Sequence, residues 1–254
     1  MSWDPTQYLA FGGHRIRPAL DLIAAVPLAA PATIVDLGCG TGNTTEALMA
    51  RWPEAAVTGV DNSPEMLARA KEAYPEADWQ QADFADWAPA APVELLYSNA
   101  ALHWLTGHGE LFPRLALCVA PGGVLAVQMP RNWEAPSHAL LYDVARAGPW
   151  REILAPMIRE HPTMPPDYYY DLLAPLAGEL DIWEVEYLQV LEGDNPVAEF
   201  VKGSWLKPFL DALEDPIRSE FETEYRARIL AAYPPQPDGK TLFPFRRLFI
   251  VATV

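Results

Sequence analysis

Val35-Asp36-Leu37-Gly38-Cys39-Gly40-Thr41-Gly42 is the stretch that decides the fold of this chain. The run Thr33 to Leu37 is short and β-branched and stops at a glycine, and the stretch Thr44 to Trp52 that follows has helical spacing. Strand, glycine-rich turn and helix in that order open a βαβ unit. Glycine lets the backbone turn sharply and approach a ligand where a side chain would collide, and the helix that follows presents free N–H groups.

Working outward, Ala56 to Val60 reads as a second buried strand ending at Asp61, and Ser63-Pro64-Glu65 opens a helix to Ala73 with a cap, a first-turn proline and an early acid. Short strands at Ala77 to Gln81 and Val93 to Ser98 follow, then a helix from Glu110 to Val119 that stops at Pro121-Gly122-Gly123, then a fifth strand from Val124 to Gln128. A helix from Arg17 to Val26 precedes them all. This alternation predicts a Rossmann-like, doubly wound α/β sheet whose cofactor-binding half is residues 1–130.

After Met129 the texture changes to proline and aromatic residues, read as helical insertions at 131–180 and 191–240 that cover the substrate. A strand from Asp181 to Val190, helices from Pro196 to Leu213 and Ile217 to Tyr233, and a last strand from Leu248 to Val251 complete the reading. The expectation is one domain over 1–254.

Charge narrows the partners. Eighteen Lys and Arg against 34 Asp and Glu leave a formal charge of −16, which repels phosphate backbones and anionic membrane surfaces, so neither nucleic acid nor membrane is expected. No apolar run approaches the ~20 residues of a membrane span, and Met1-Ser2-Trp3-Asp4-Pro5 lacks a basic leader, so a cytoplasmic protein is expected. Two cysteines, Cys39 and Cys118, are too few and too differently placed for a disulfide framework or a metal cluster, and no metal is expected. The sequence is compatible with a monomer.

The loop also discriminates between cofactors. A dinucleotide fingerprint needs a third glycine three positions after Gly40, where Asn43 stands; the spacing is G-x-G-x-G behind Asp36, which favours S-adenosylmethionine. Asp61 lies 61 − 38 = 23 positions beyond the first glycine, where an acid can take two ribose hydroxyls, and Asp83-Phe84 after the third strand offers a carboxylate to an adenine amino group with an aromatic beside the ring. The cofactor-binding candidates are Asp36, Gly38, Cys39, Gly40, Gly42, Asp61, Asn62, Met66, Asp83, Phe84 and Asn99.

These residues resemble the class I S-adenosylmethionine-dependent methyltransferases, and nearly the whole chain resembles the family among them that esterifies trans-aconitate. The resemblance is borne by His14-Arg15-Ile16-Arg17-Pro18-Ala19, Val35 to Thr45, Ser98-Asn99-Ala100-Ala101-Leu102-His103-Trp104, Leu111-Phe112-Pro113, Val124 to Pro130 with Asn132-Trp133, Asp181-Ile182-Trp183, and Arg247 to Ala252. It implies a seven-stranded sheet with the last strand antiparallel, and transfer of a methyl group to one carboxylate of a small tricarboxylate, leaving S-adenosylhomocysteine.

Such an acceptor needs no metal and no general base, because a carboxylate of pKa ~4 is already ionised at neutral pH. It does need cations, since burying a carboxylate without charged hydrogen bonds costs several kcal/mol. The substrate-binding candidates are Arg131, Arg17, Arg15, Arg247 and Lys202, with Trp133 and Tyr170 as packing and hydroxyl partners. His103 and Trp104, directly after the fourth strand, are the candidates nearest the chemistry. Two other readings stay open: a phenol or indole acceptor with His103 as base, and a protein that binds the cofactor without transferring its methyl group.

Overall fold

The computed structural model describes residues 12–159 and 163–254, with side chains from Ile16 onward. Seven strands form one sheet: β1 Thr33–Leu37, β2 Ala56–Asp61, β3 Asp78–Gln81, β4 Val93–Asn99, β5 Val119–Pro130, β6 Glu179–Leu191 and β7 Thr241–Thr253. Their order is β3-β2-β1-β4-β5-β7-β6. The pairs β1–β2, β2–β3, β1–β4 and β4–β5 are parallel, and β7 runs antiparallel to β5, as the resemblance implied. Strand order reverses between β1 and β4, and in sheets of this kind ligands bind beyond the carboxyl ends of the strands at that point. The glycine loop sits there, immediately after β1.

The chain divides into two compact units. The first comprises Arg15–Pro130, Pro162–Val185 and Arg247–Val254. Its core lies on one face of the sheet, where Val35 and Leu37 of β1, Val127 and Met129 of β5 and Leu248 and Ile250 of β7 alternate inward. The helices His108–Ala116 and Pro166–Leu173 close that face with Leu111, Phe112, Leu115, Tyr169 and Leu173. At ~1.5–3 kcal/mol for each large apolar side chain fully removed from water, this face fixes the register of every strand in it. The opposite face carries Tyr97, whose hydroxyl donates to the Ala19 carbonyl (2.9 Å) and so ties the helix Gly12–Ala25 to β4.

Of the described residues, the second unit comprises 12–14, 131–159 and 186–246. Its helix Ile217–Ala232 buries Phe221, Tyr225 and Ile229, spaced four apart on one face. Tyr225 donates to the Ser137 carbonyl at 2.8 Å and so joins that helix to Pro136–Ala147. No helix among the described residues is long and apolar enough to cross a membrane.

Among the boundaries that differ from the sequence reading, three have a physical reason in the chain. The helix expected over Pro196 to Leu213 is two, Pro196–Lys202 and Lys207–Asp211. Pro208 is the reason: inside a continuous helix its ring would meet a carbonyl one turn back, whereas in a new first turn its missing N–H costs nothing. β5 begins at Val119 rather than Val124 and runs through Pro121-Gly122-Gly123, which forms a register irregularity against β4 instead of a turn. The last strand is 13 residues long because its first half, Thr241 to Arg246, alternates buried and half-buried side chains, a weaker signal than the wholly apolar end.

Candidate active site

Gly38, Gly40 and Gly42 all have positive φ, at 82°, 58° and 84°. A Cβ on Gly38 would stand 2.2 Å from the Ala101 Cβ, and one on Gly42 would meet the rings of Trp79 and Tyr74. Gly40 differs: no described atom lies within 4 Å of where its Cβ would be. Two of the glycines are therefore demanded by the protein's own packing, while the third leaves open space at the crest of the loop.

Two acids hold this loop in different ways. Asp61, at the end of β2, accepts the Gly40 N–H on one oxygen (2.9 Å) and the Ser63 N–H on the other (2.9 Å). Each oxygen keeps a second lone pair for a ligand. Asp36 is 1% exposed beneath the loop and accepts a hydrogen bond from Thr45 Oγ1 at 2.7 Å. Burial pushes its carboxyl up to about 7, against the Thr45 hydrogen bond that pulls it down, and the negative charge of Asp61 adds to the rise. Asp36 is thus a clamp between the strand and the helix Asn43–Arg51. Burial and the same two acids raise the Cys39 thiol further still, so this cysteine is held as a neutral thiol.

Other residues singled out in the sequence fall around the loop. Met66 is buried, its N–H capped by Ser63 Oγ at 3.3 Å, and Asn62 is exposed with its carbonyl facing Gln81. Phe84 is buried near Gly38. Asp83 is exposed and accepts the Ala85 N–H at 2.9 Å, a turn that leaves its other oxygen to solvent. Asn99 closes β4, and its Oδ1 is buried without a hydrogen-bond partner among the described residues. Ala100, next in the chain, takes φ 52°, a strained value for a residue with a side chain.

His103 and Trp104 lie in a 3₁₀ turn, Leu102–Trp104, with ring centroids 4.8 Å apart. A buried relay that the sequence did not reveal anchors this turn. The Met164 N–H donates to the Tyr169 oxygen (3.1 Å), whose hydroxyl meets His108 Nδ1 at 2.7 Å, and His108 Nε2 lies 3.0 Å from the Leu102 carbonyl. A carbonyl only accepts, so Nε2 bears the proton and Nδ1 accepts from the tyrosine. Of the three tyrosines at 168–170, Tyr169 is the buried one, and Tyr170 is 57% exposed.

The cationic candidates separate clearly. Arg247 is buried, and its Nη1 donates to Gln128 Oε1 at 3.3 Å. Arg131 continues directly from β5, half-buried, with its N–H on the Arg246 carbonyl at 3.0 Å. Arg17 is largely exposed, 3.9 Å from Asp21, and Lys202 is ion-paired with Glu222 at 2.5 Å. The Arg15 side chain lies outside the described residues. Trp133 belongs to an aromatic cluster of the second unit, 4.6 Å from Trp205 and 5.0 Å edge-on from His138. Burial pushes the His138 imidazole down to about 3, so it stays neutral. In the same unit Tyr142 lies near Trp205 and Arg159, whose Nη1 is buried without a hydrogen-bond partner among the described residues.

A glycine loop at the switch point of this sheet, an acid at the end of the neighbouring strand and an antiparallel final strand define a class I methyltransferase, and residues 34–123 match the family model described as a methyltransferase domain. Trans-aconitate 2-methyltransferase of an Azoarcus species is 49% identical over 251 residues, spanning 99% of this chain and 98% of that protein. The enzyme of the same name from Methylobacterium nodulans is also 49% identical, over 98% and 97%, and one from Rhodopseudomonas palustris 47%, over 98% of both. The chain belongs to the trans-aconitate 2-methyltransferase family. The solved YcgJ protein of Bacillus subtilis shares the fold, with a TM-score of 0.59 at 15% identity over 93% of this chain and 97% of that one. Phosphoethanolamine N-methyltransferase 2 of Haemonchus contortus, solved with S-adenosyl-L-methionine, gives 0.56 at 15%, over 98% of this chain and 56% of that one.

Proposed function

We propose that this protein is an S-adenosylmethionine-dependent carboxyl methyltransferase that converts trans-aconitate to its monomethyl ester. The observation that carries the reading is the end-to-end match, at 49% identity over 99% of this chain, to a protein of that name. The reaction is a cytoplasmic one on a small molecule, in keeping with a charge of −16 that disfavours nucleic acid.

The loop fits the cofactor. Gly40 leaves open space among the described residues where a ligand can approach the backbone, Asp61 keeps lone pairs for ribose hydroxyls, and the buried Asn99 Oδ1 wants a donor such as an ammonium group. Gly38, Cys39 and Gly42 would shape the loop around it, Asn62 and Met66 would contribute on the ribose and adenine side, and Asp83 and Phe84 would hold the adenine. When bound, S-adenosylmethionine supplies an electrophilic methyl group on a sulfonium and leaves as S-adenosylhomocysteine. The chain's own work is then to orient one carboxylate oxygen in line, exclude water and neutralise the acceptor. Among the described candidates, buried Arg247, in the unit that holds the glycine loop, is the best placed to neutralise it. His103 and Trp104 shape the turn beside Asn99, and the imidazole is not needed as a base.

The pH dependence of kcat/KM tests this. Attack by a carboxylate that is already ionised gives no limb that follows a histidine near pH ~6.5. A limb there that disappears in His103→Gln would mean that a hydroxyl acceptor, with His103 as base, is the true one.

A further inference from the structure

Gln128 is a polar side chain that the reaction as described does not use. It is fully buried near the carboxyl end of β5, in register with Asn99 of β4 on one side and Phe249 of β7 on the other. Residues directly opposite in a sheet share a face. Arg247, two residues before Phe249, shares it as well, and its guanidinium donates to Gln128 Oε1 at 3.3 Å. Asn99, Gln128 and Arg247 therefore form a polar row across three neighbouring strands, in the unit that holds the glycine loop.

The row is incompletely satisfied. Gln128 Nε2 is buried with no hydrogen-bond partner among the described residues, and so is Asn99 Oδ1. One is a donor and the other an acceptor, side by side, yet they do not satisfy each other. Buried polar groups are nearly always paired, so each of these atoms points to a ligand group of its own, a donor at Asn99 and an acceptor at Gln128. With Asn99 given to a cofactor ammonium, the acceptor at Gln128 belongs to the other substrate, and the Arg247 guanidinium beside Gln128 favours an anion there.

We propose that Gln128 and Arg247 together form the receptor for a carboxylate of the acceptor. Gln128 Oε1 aligns the guanidinium, and Gln128 Nε2 donates to the carboxylate that the guanidinium neutralises. The assignment rests on the carboxylate-methylation reading above. It makes Gln128 a determinant of acceptor specificity that no charge count would single out.

Two near-isosteric variants test it. Gln128→Glu presents a carboxylate of the chain's own to Arg247, and Gln128→Met removes the amide while filling its volume. Trans-aconitate binding to protein saturated with S-adenosylhomocysteine, measured by calorimetry, is expected to weaken at least ~100-fold in Gln128→Glu and ~10-fold in Gln128→Met, the range for charge-assisted hydrogen bonds. The KM should rise in step while kcat in Gln128→Met stays within about threefold, and S-adenosylhomocysteine affinity, read first as the check on folding, should be unchanged. If Gln128→Glu does not fold, Gln128→Met decides. Variants that lose thermal stability but bind trans-aconitate like the wild type would show that Gln128 merely satisfies Arg247 in the core, and the receptor would fall. Wild-type protein that binds trans-aconitate without methylating it would sink the reaction and leave the receptor standing; no binding at all would sink both.

Discussion

Gly38→Ala is the perturbation whose consequences the loop geometry defines most completely. The new Cβ would stand 2.2 Å from the Ala101 Cβ, where ordinary contact begins at 3.4 Å, so the two segments must part by 3.4 − 2.2 = 1.2 Å. Neither yields cheaply. Gly38 and Cys39 both donate to the Val60 carbonyl, at 2.7 and 3.1 Å, and Ala101 follows Ala100, already strained at φ 52°. Overpacking of this kind costs ~1–3 kcal/mol. Holding alanine at φ 82° costs a further ~1–2 kcal/mol. Together about 2–5 kcal/mol is at stake, or a fall of roughly 4–20 °C in Tm for a chain of this size. S-adenosylhomocysteine affinity should drop at least ~10-fold if the segment that moves is, as proposed, the one that cradles it. The double variant Gly38→Ala, Ala101→Gly relieves the collision but not the φ strain, so it should recover about half of the lost stability. Thermal denaturation with parallel calorimetric titration reads both quantities. A single variant that melts and binds like the wild type, or a double variant no better than the single, would refute the reasoning.

Asp36→Asn tests the clamp beneath the loop. Because folding raises the Asp36 carboxyl to about 7, its contribution is complete below the ordinary carboxylate pKa and is lost as pH rises through 7, so the wild type should lose a few kcal/mol against the variant between pH ~4 and ~7. Parallel stability curves for the two proteins would contradict this. Asp61→Asn keeps the shape but loses one of the two acceptors that hold the Gly40 and Ser63 N–H groups, and should weaken S-adenosylhomocysteine binding ~10–100-fold by titration. His103→Gln should lower kcat/KM less than ~10-fold; a loss of 10²–10⁴ would be the signature of a general base.

The parallel half of the fold was legible because β1, β2 and β4 are short and largely buried, and because glycine and proline mark the ends. What the sequence hid depends on contacts between distant segments. Asp36 read as a ligand-binding acid, yet its place under the loop follows from Thr45, one helical turn into the next element, which no spacing rule marks. The tyrosine run turned on helical phase: a helix opening at Pro166 buries Tyr169 and Leu173, four apart, and turns Tyr170 out. His108 anchors the turn of His103 through the Leu102 carbonyl and is itself held by a tyrosine 61 residues away. Arg247 stood out as a cation at the head of an apolar run, whereas Gln128 looked like one polar residue inside a strand, and only the pairing of β5 with β7 brings them together.

Methyl transfer from one donor to one carboxylate is measured by incubating purified protein with trans-aconitate and S-adenosylmethionine that carries a heavy methyl label, and analysing the products by mass spectrometry. A singly labelled monomethyl ester of trans-aconitate, formed one-for-one with S-adenosylhomocysteine, is expected. Unmodified trans-aconitate beside consumed donor, or label on an added phenol or indole instead, would contradict that transfer.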